Sequence, residues 1–182
     1  MDIRTKAQQF SDFYEREVDA LFRYVALRVG NREEVKDIVQ ETFSALWEKL
    51  VGGGIIREER AFLYASARNR IIDWYRKKKS LSLEQMADGE EGETLPFDPI
   101  DTLAESRIVL SAEAHQVLTL ITMLPISYRD AVYLRLVEEM VPQEIAQVLG
   151  ITAGAVSVRI TRGLALLREQ LGLTQNKDHE SI

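Results

Sequence analysis

An acidic stretch between residues 81 and 106 constrains the fold more than any other feature of this 182-residue chain. It carries eight Asp and Glu residues, no Lys or Arg, two Pro and two Gly, and it lacks hydrophobic periodicity. A segment of this composition buries too little apolar surface to fold, so we expect a flexible, extended linker. The chain is therefore predicted to form two small domains.

The residues before the linker have the periodicity of amphipathic helices. Apolar side chains recur at three- and four-residue steps over residues 10–29 and again over residues 35–50. The three glycines at 52–54 end the second helix, and a third is expected from about Glu59. Three such helices pack as a small bundle, so the first domain is predicted to span residues 1–80.

The second domain, predicted to span residues 107–173, contains the most informative motif of the chain. In "QEIAQVLGITAGAVSVRITR", Gln143 to Arg162, Gly150 permits a tight turn with positive φ and Thr152 caps the helix that follows. This pattern is typical of a helix-turn-helix, whose second helix commonly enters the DNA major groove. The polar tail at 174–182 is expected to be disordered. The predicted fold class is therefore all-α, with two small helical domains joined by a flexible acidic linker.

Positive charge is concentrated next to two aromatic side chains. The formal net charge is -6, and removing the -8 of the linker leaves +2 for the remaining residues. In "ARNRIIDWYRKKK", residues 67–79, six cations surround Trp74 and Tyr75. One interpretation is a solvated helix end, where Lys and Arg complement the helix dipole. The other is a surface for single-stranded nucleic acid, with rings that stack bases and cations that follow phosphates.

The second helix has the opposite charge on its outward face. Asp37, Glu41 and Glu48 align there, with Gln40 and Trp47 beside them. A charged outward face is usually only solvated. A Trp next to a row of carboxylates favours a binding surface, because Trp is enriched at the centres of protein interfaces.

Several classes of function are disfavoured by what the sequence lacks. With no Cys and two distant His residues, neither a disulfide framework nor a zinc site is expected. No phosphate-binding loop or nucleophile–base pair is recognisable, so we expect no catalytic residue, no metal, no cofactor and no small-molecule substrate. The chain has no apolar run of membrane-spanning length and no secretory signal, which predicts no membrane insertion and a cytoplasmic location.

Taken together, these segments resemble a sigma factor of the sigma-70 family, in its small extracytoplasmic-function (ECF, group IV) class. The resemblance runs from about Thr5 to Leu171. It implies a bacterial transcription initiation factor whose partners are core RNA polymerase, promoter DNA and an anti-sigma factor. It also implies association with the nucleoid in the holoenzyme, or retention at the inner membrane by the anti-sigma factor.

The resemblance assigns expected roles to three sets of residues. "DIVQETFSALW" is similar to the region that docks on core polymerase, and the matching residues are Asp37, Gln40, Glu41 and Trp47. "FLYASARNRIIDWYRKKK" resembles the region that recognises and opens the minus-ten element; the residues are Arg68, Asn69, Asp73, Trp74, Tyr75, Arg76, Lys77, Lys78 and Lys79. The helix-turn-helix resembles the reader of the minus-thirty-five element, with Thr152, Ala153, Gly154, Ser157, Arg159 and Arg162.

Two other functions are weighed against this one. A stand-alone helix-turn-helix regulator, whose N-terminal bundle senses a signal or dimerises, leaves "DIVQETFSALW" unexplained. A helical adaptor without a DNA role leaves Arg159, Arg162 and Lys77–Lys79 without a function.

Overall fold

The computed structural model describes residues 3–81 and 112–172, and all regular structure within these two ranges is helical. The seven helices are α1 (Ile3–Ala26), α2 (Arg32–Val51), α3 (Glu59–Leu81), α4 (Ala112–Thr122), α5 (Ile126–Leu136), α6 (Pro142–Leu149) and α7 (Ala153–Gln170). The all-α class is therefore confirmed for the described part of the chain. Apart from Leu81, the predicted linker at 81–106 lies outside the described residues, and so does the tail at 174–182.

Helices α1, α2 and α3 pack together as the N-terminal bundle. Most of the stripe predicted for α2 is buried, including Val35, Val39 and Phe43, whereas Leu50 at its end is half-buried. Asn31 caps this helix by accepting a hydrogen bond from the Glu33 N–H at 2.9 Å. The expectation that α1 continues to residue 29 was wrong, because the helix ends at Ala26. Residues 27–29 form a hydrogen-bonded turn whose side chains are buried. The buried pattern therefore continues for three residues beyond the end of the helix.

Helices α4 to α7 form the C-terminal domain, in which α7 packs against α5 and α6. The helices approach each other closely at Gly163 of α7. An added Cβ there would lie 2.6 Å from Val132 Cγ2 and 3.4 Å from Tyr128 Cβ of α5. A glycine at this position therefore allows the two helices to pack at short distance.

The two domains also contact each other, which the sequence analysis did not predict. Helix α3 of the first domain packs against α6 of the second. The rings of Tyr24 and Tyr133, one from each domain, lie 5.8 Å apart between centroids. Both tyrosines are buried. The two domains are therefore in direct contact within the described residues.

Over the described ranges, no single helix is long and apolar enough to cross a membrane. Helices α6 and α7 reach the length and apolar content of a membrane span only when they are counted together, and they are bent by 104° at their junction.

Candidate nucleic-acid interface

The junction of α6 and α7 has the geometry of a helix-turn-helix. Gly150 ends α6 in the left-handed conformation with φ of 67°, as the turn requires. The Thr152 hydroxyl accepts a hydrogen bond from the Ala155 N–H at 3.1 Å and caps α7. The buried side chains of Ile145 and Val156 lie on the two helices that meet here. The 104° bend is within the range of this motif, so the predicted helix-turn-helix is confirmed.

The first half of α7 and its cap carry the residues predicted to read the minus-thirty-five element. Val156 and Ile160 occupy the buried side of this half. The predicted residues are at least partly exposed: Thr152, Gly154, Ser157 and Arg162 are exposed, and Ala153 and Arg159 are half-buried. The six therefore share a solvent-accessible region at the start of α7. Its small residues would let DNA approach the backbone closely.

The last two turns of α3 present the basic surface. Arg76, Lys77 and Lys78 are exposed, and so is Asp73, whose carboxylate lies 3.7 Å from the Arg76 guanidinium. Asn69 is also exposed, one turn earlier. Lys79 belongs to α3, but its side chain is outside the described part of the structure. The exposed cations lie where they could follow a phosphate backbone.

The two aromatic residues of this helix have different surroundings. Trp74 and Tyr75 are both half-buried, with ring centroids 4.8 Å apart. The Tyr75 hydroxyl donates to the backbone carbonyl of Arg28, which fixes its ring. The Lys78 ammonium lies 4.8 Å from the centroid of the Trp74 ring and partly covers it. A base could reach Trp74 by displacing a flexible lysine, whereas reaching Tyr75 would require breaking a hydrogen bond.

Arg68 lies apart from the exposed cations of α3. Its side chain is only 12% exposed, and its Nε is 4.0 Å from the Asp130 carboxylate of the C-terminal domain. The contact between the domains therefore leaves little of the Arg68 side chain accessible to a phosphate. A role for Arg68 in DNA binding therefore stays a prediction that requires the domains to separate.

The carboxylate face of α2 is accessible. Asp37, Gln40 and Glu41 are exposed. Trp47 is half-buried and packs on Phe10 of α1 with ring centroids 5.1 Å apart. This face thus combines acidic side chains with an aromatic ring at the edge of a groove between α1 and α2.

Five polar residues that the sequence analysis did not assign to a site meet between the domains. The Arg28 guanidinium lies 2.6 Å from the Asp130 carboxylate. The Glu138 carboxylate accepts hydrogen bonds from Arg60 at 2.9 Å and from the Tyr64 hydroxyl at 2.6 Å. We call these five residues the interdomain polar cluster. The only sequence signal was Arg28, a cation within an apolar stripe, which suggests a paired buried charge without identifying the partner.

The tyrosines around this cluster remain protonated at neutral pH. Burial raises the pKa of Tyr64 well above its ordinary value, and the neighbouring Glu138 charge raises it further. The same two causes act in the same direction on the pKa of Tyr133, whose hydroxyl donates to Glu138 Oε1 at 3.0 Å. The Glu138 carboxylate is thus surrounded by donors that keep their protons.

Family models match both halves of the chain. Residues 13–81 match Sigma-70 region 2, and residues 114–167 match Sigma-70, region 4. The ECF RNA polymerase sigma factor SigW of Bacillus subtilis is 32% identical over 165 residues, which cover 89% of this chain and 88% of SigW. The chain is a sigma-70 family sigma factor of the ECF class. It therefore belongs to the transcription initiation factors.

Other relatives and solved structures are similar to this sigma factor over most of its length. SigL, an ECF sigma factor of Mycobacterium tuberculosis, is 28% identical over 166 residues, covering 89% of the chain and 90% of SigL. The fold resembles CnrH in complex with the cytosolic domain of CnrY, with 24% identity, a TM-score of 0.58 and coverage of 92% and 90%. It also resembles the sigma factor RpoE of Bartonella quintana in complex with the anti-sigma factor NepR, with 18% identity, a TM-score of 0.64 and coverage of 92% and 99%.

Proposed function

We propose that this sigma factor binds core RNA polymerase and directs it to promoters by reading the minus-ten element with α3 and the minus-thirty-five element with α7. The observation that carries the proposal is the presence in one chain of an exposed basic end of α3 and an accessible helix-turn-helix. The proposed domains are region 2 at 1–80, the linker at 81–106 and region 4 at 107–173.

The proposed roles follow from the chemistry of each surface. The α2 face with Asp37 and Trp47 is the polymerase-binding surface, because a ring beside carboxylates can supply both an apolar anchor and charge complementarity. On α3, Lys77 and Lys78 contact phosphates while Trp74 stacks a base of the melted strand. On α7, Arg159 and Arg162 contact phosphates, and the small exposed residues before them approach base edges.

An anti-sigma factor is the proposed regulator. RpoE of Bartonella quintana is bound to the anti-sigma factor NepR, and this chain resembles RpoE in fold. We place the protein in the cytoplasm, on the nucleoid when it is part of the holoenzyme. If the anti-sigma factor is membrane-anchored, the pair would be held at the inner membrane.

Run-off transcription tests the proposal directly. Purified core polymerase is assayed with and without this protein on genomic fragments. Specific transcripts should appear only when the protein is present. A complete absence of such transcripts with a core polymerase that binds the protein would overturn the proposal.

Trp47→Ala tests the polymerase-binding surface. The substitution should weaken core binding by about 2 kcal/mol or more, because it removes an aromatic anchor at a protein interface. Affinity for core is measured by fluorescence anisotropy or pull-down. Ile3→Ala, which truncates an exposed apolar side chain outside this face, serves as the control. Unchanged affinity of a folded Trp47→Ala variant would exclude this face.

A further inference from the structure

We propose that Arg70 is a further phosphate-binding residue of α3, which pairs with Glu41 in the free protein and is released when core polymerase docks on α2. The inference rests on the proposed function, in which α2 binds polymerase and α3 binds the melted strand. It adds a direct coupling between these two surfaces through one ion pair. The sequence analysis did not assign Arg70 to either surface.

Arg70 lies where the two proposed surfaces meet. Its Nε is 3.3 Å from the carboxylate of Glu41, which belongs to the α2 face proposed for polymerase. On α3, Trp74, Lys77 and Lys78 follow Arg70 at steps of four, seven and eight residues, which places all four on one side of the helix. These four side chains line a groove whose other wall is α2. The same arginine therefore borders both surfaces.

The pair with Glu41 is weak enough to be exchanged. The Glu41 side chain is 68% exposed, and ion pairs this open to water contribute little to stability. The Arg70 Nε has no hydrogen-bond partner among the described residues. Another nitrogen of the guanidinium donates to the Ser66 hydroxyl at 2.8 Å, a bond within α3. A competing partner for Glu41 would therefore free the arginine without disturbing the helix.

Neutralising the α2 carboxylates would reverse the charge of the groove between α2 and α3. In the free protein four carboxylates and three cations line it, so a phosphate backbone gains little there. The carboxylates are Glu34, Asp37 and Glu41 of α2 and Asp73 of α3, and the cations are Arg70, Lys77 and Lys78 of α3. A partner with positive charge complements the α2 face. Once it is bound, the three cations outnumber Asp73, and the groove attracts phosphate.

The chemistry of the guanidinium makes the two uses of Arg70 exclusive. Its planar fork of N–H donors matches the oxygens of a carboxylate or of a phosphate. When Arg70 binds phosphate, Glu41 is left free for polymerase, and when polymerase binds Glu41, Arg70 is left free for phosphate. By thermodynamic linkage, each partner then strengthens the binding of the other.

Binding of the free protein to single-stranded DNA tests whether Glu41 restrains Arg70. Fluorescence anisotropy with a labelled oligonucleotide of random sequence measures affinity at several salt concentrations. Glu41→Ala should increase affinity by at least about threefold, because a charged hydrogen bond to phosphate replaces an exposed ion pair. The added phosphate contact should also steepen the slope of log affinity against log salt by about 0.7.

The matched control is Glu48→Ala, which removes the same charge from another exposed carboxylate of α2. An effect of net charge alone would appear equally in both variants. Adding Arg70→Gln to Glu41→Ala should cancel the gain over this control, whereas adding Arg70→Lys should keep the steeper salt slope because it keeps the cation. Circular dichroism and a thermal melt verify that each variant is folded.

The holoenzyme provides a second readout, since polymerase has already released Arg70 there. Arg70→Gln should flatten the salt slope by about 0.7 for binding to a promoter template with a preformed bubble. Its affinity for core in the absence of DNA should not fall, which a merely structural role would not predict. Arg4→Gln, at an exposed position of α1, removes the same charge and should leave the slope unchanged.

Three results would overturn the inference. These are equal affinities and slopes for Glu41→Ala and Glu48→Ala, a gain that persists without Arg70, and an Arg70→Gln holoenzyme whose slope matches that of the unmodified one. Failure of the proposed function is distinct from all three. It would appear as an unmodified protein that binds core and supports no specific transcript.

Discussion

At the residue scale, three buried tyrosines differ in what their hydroxyl groups contact. Those of Tyr64 and Tyr133 donate to Glu138. Within the described residues, the buried hydroxyl of Tyr24 has no hydrogen-bond partner. Its ring lies 3.8 Å from the Arg28 guanidinium carbon, a contact that phenylalanine would retain. Removing the hydroxyl group should therefore change the free energy of unfolding differently at Tyr64 and at Tyr24.

We predict that Tyr64→Phe lowers the free energy of unfolding by about 1.5–3 kcal/mol, the usual contribution of a hydrogen bond to a charged group. Tyr24→Phe should leave stability unchanged or raise it by up to about 1 kcal/mol, because it removes a buried hydroxyl without a partner. Urea titration of both variants measures the difference. Equal losses in the two variants would contradict the assignment of the hydrogen bonds.

A second residue-scale prediction distinguishes Trp74 from Tyr75 in promoter opening. Base stacking on an aromatic ring contributes roughly 1–3 kcal/mol, so Trp74→Ala should reduce melting of the minus-ten region while leaving the closed complex intact. Tyr75→Phe, which keeps the ring but loses the hydrogen bond to the Arg28 carbonyl, serves as the control. Permanganate reactivity of thymines reports the melting.

The Trp74→Ala variant should regain activity on a template with a preformed bubble. A thermal melt accompanies the footprint, because the half-buried ring also packs against the bundle core. Normal thymine reactivity in a folded Trp74→Ala variant would rule out the stacking role.

At the element scale, the packing of α7 against α5 depends on Gly163. We predict that Gly163→Ala destabilises the protein by about 1 kcal/mol or more. Overpacking at this position costs roughly 1–3 kcal/mol. The higher helix propensity of alanine offsets about 1 kcal/mol of that cost. Gly154→Ala is the matched control, because the added Cβ would lie 3.9 Å from Thr152 Oγ1, an ordinary van der Waals contact. That change should stabilise α7 by up to about 1 kcal/mol.

Thermal unfolding of the two alanine variants tests the prediction on the same helix. A Gly163→Ala protein as stable as the unmodified protein would mean that α5 moves away from α7 without cost. The comparison thus measures close helix packing separately from the intrinsic preference of alanine for a helix.

At the scale of the whole molecule, buried tyrosines make stability depend on pH in the alkaline range. Burial raises the pKa of Tyr24 to about 12, from an ordinary value of 10.0. Below pH 10 the tyrosine is protonated in both the folded and unfolded states, so its contribution to stability is present in full. As the pH rises from 10 to about 12, the unfolded chain releases a proton that the folded protein retains, and stability falls.

We therefore predict that unfolding becomes easier above pH 10, with a slope approaching about 1.4 kcal/mol per pH unit for each such tyrosine. Tyr24→Phe should reduce this slope, because one of the linked groups is removed. Urea unfolding at a series of pH values measures both proteins. Identical slopes would show that Tyr24 does not titrate differently in the folded state.

The sequence by itself determined the helices and the helix-turn-helix, because those depend on local signals. Apolar periodicity identified α2 and α3, and Gly150 and Thr152 marked the turn and the cap of α7. The charge pattern along single helices indicated binding surfaces, and the resemblance to sigma factors assigned them to polymerase and DNA. Their roles stay predictions, although most of the residues are at least partly exposed where the structure describes their side chains.

Only the tertiary structure decided how the two domains meet. Arg28 and Asp130 are 102 positions apart, and Tyr64 and Glu138 are 74 positions apart, so no local pattern pairs them. In the same contact, Arg68 lies near Asp130 with only 12% of its side chain exposed, although the sequence around it is rich in exposed cations. Periodicity shows which face of a helix is buried, but the identity of a buried charge's partner depends on how distant segments pack.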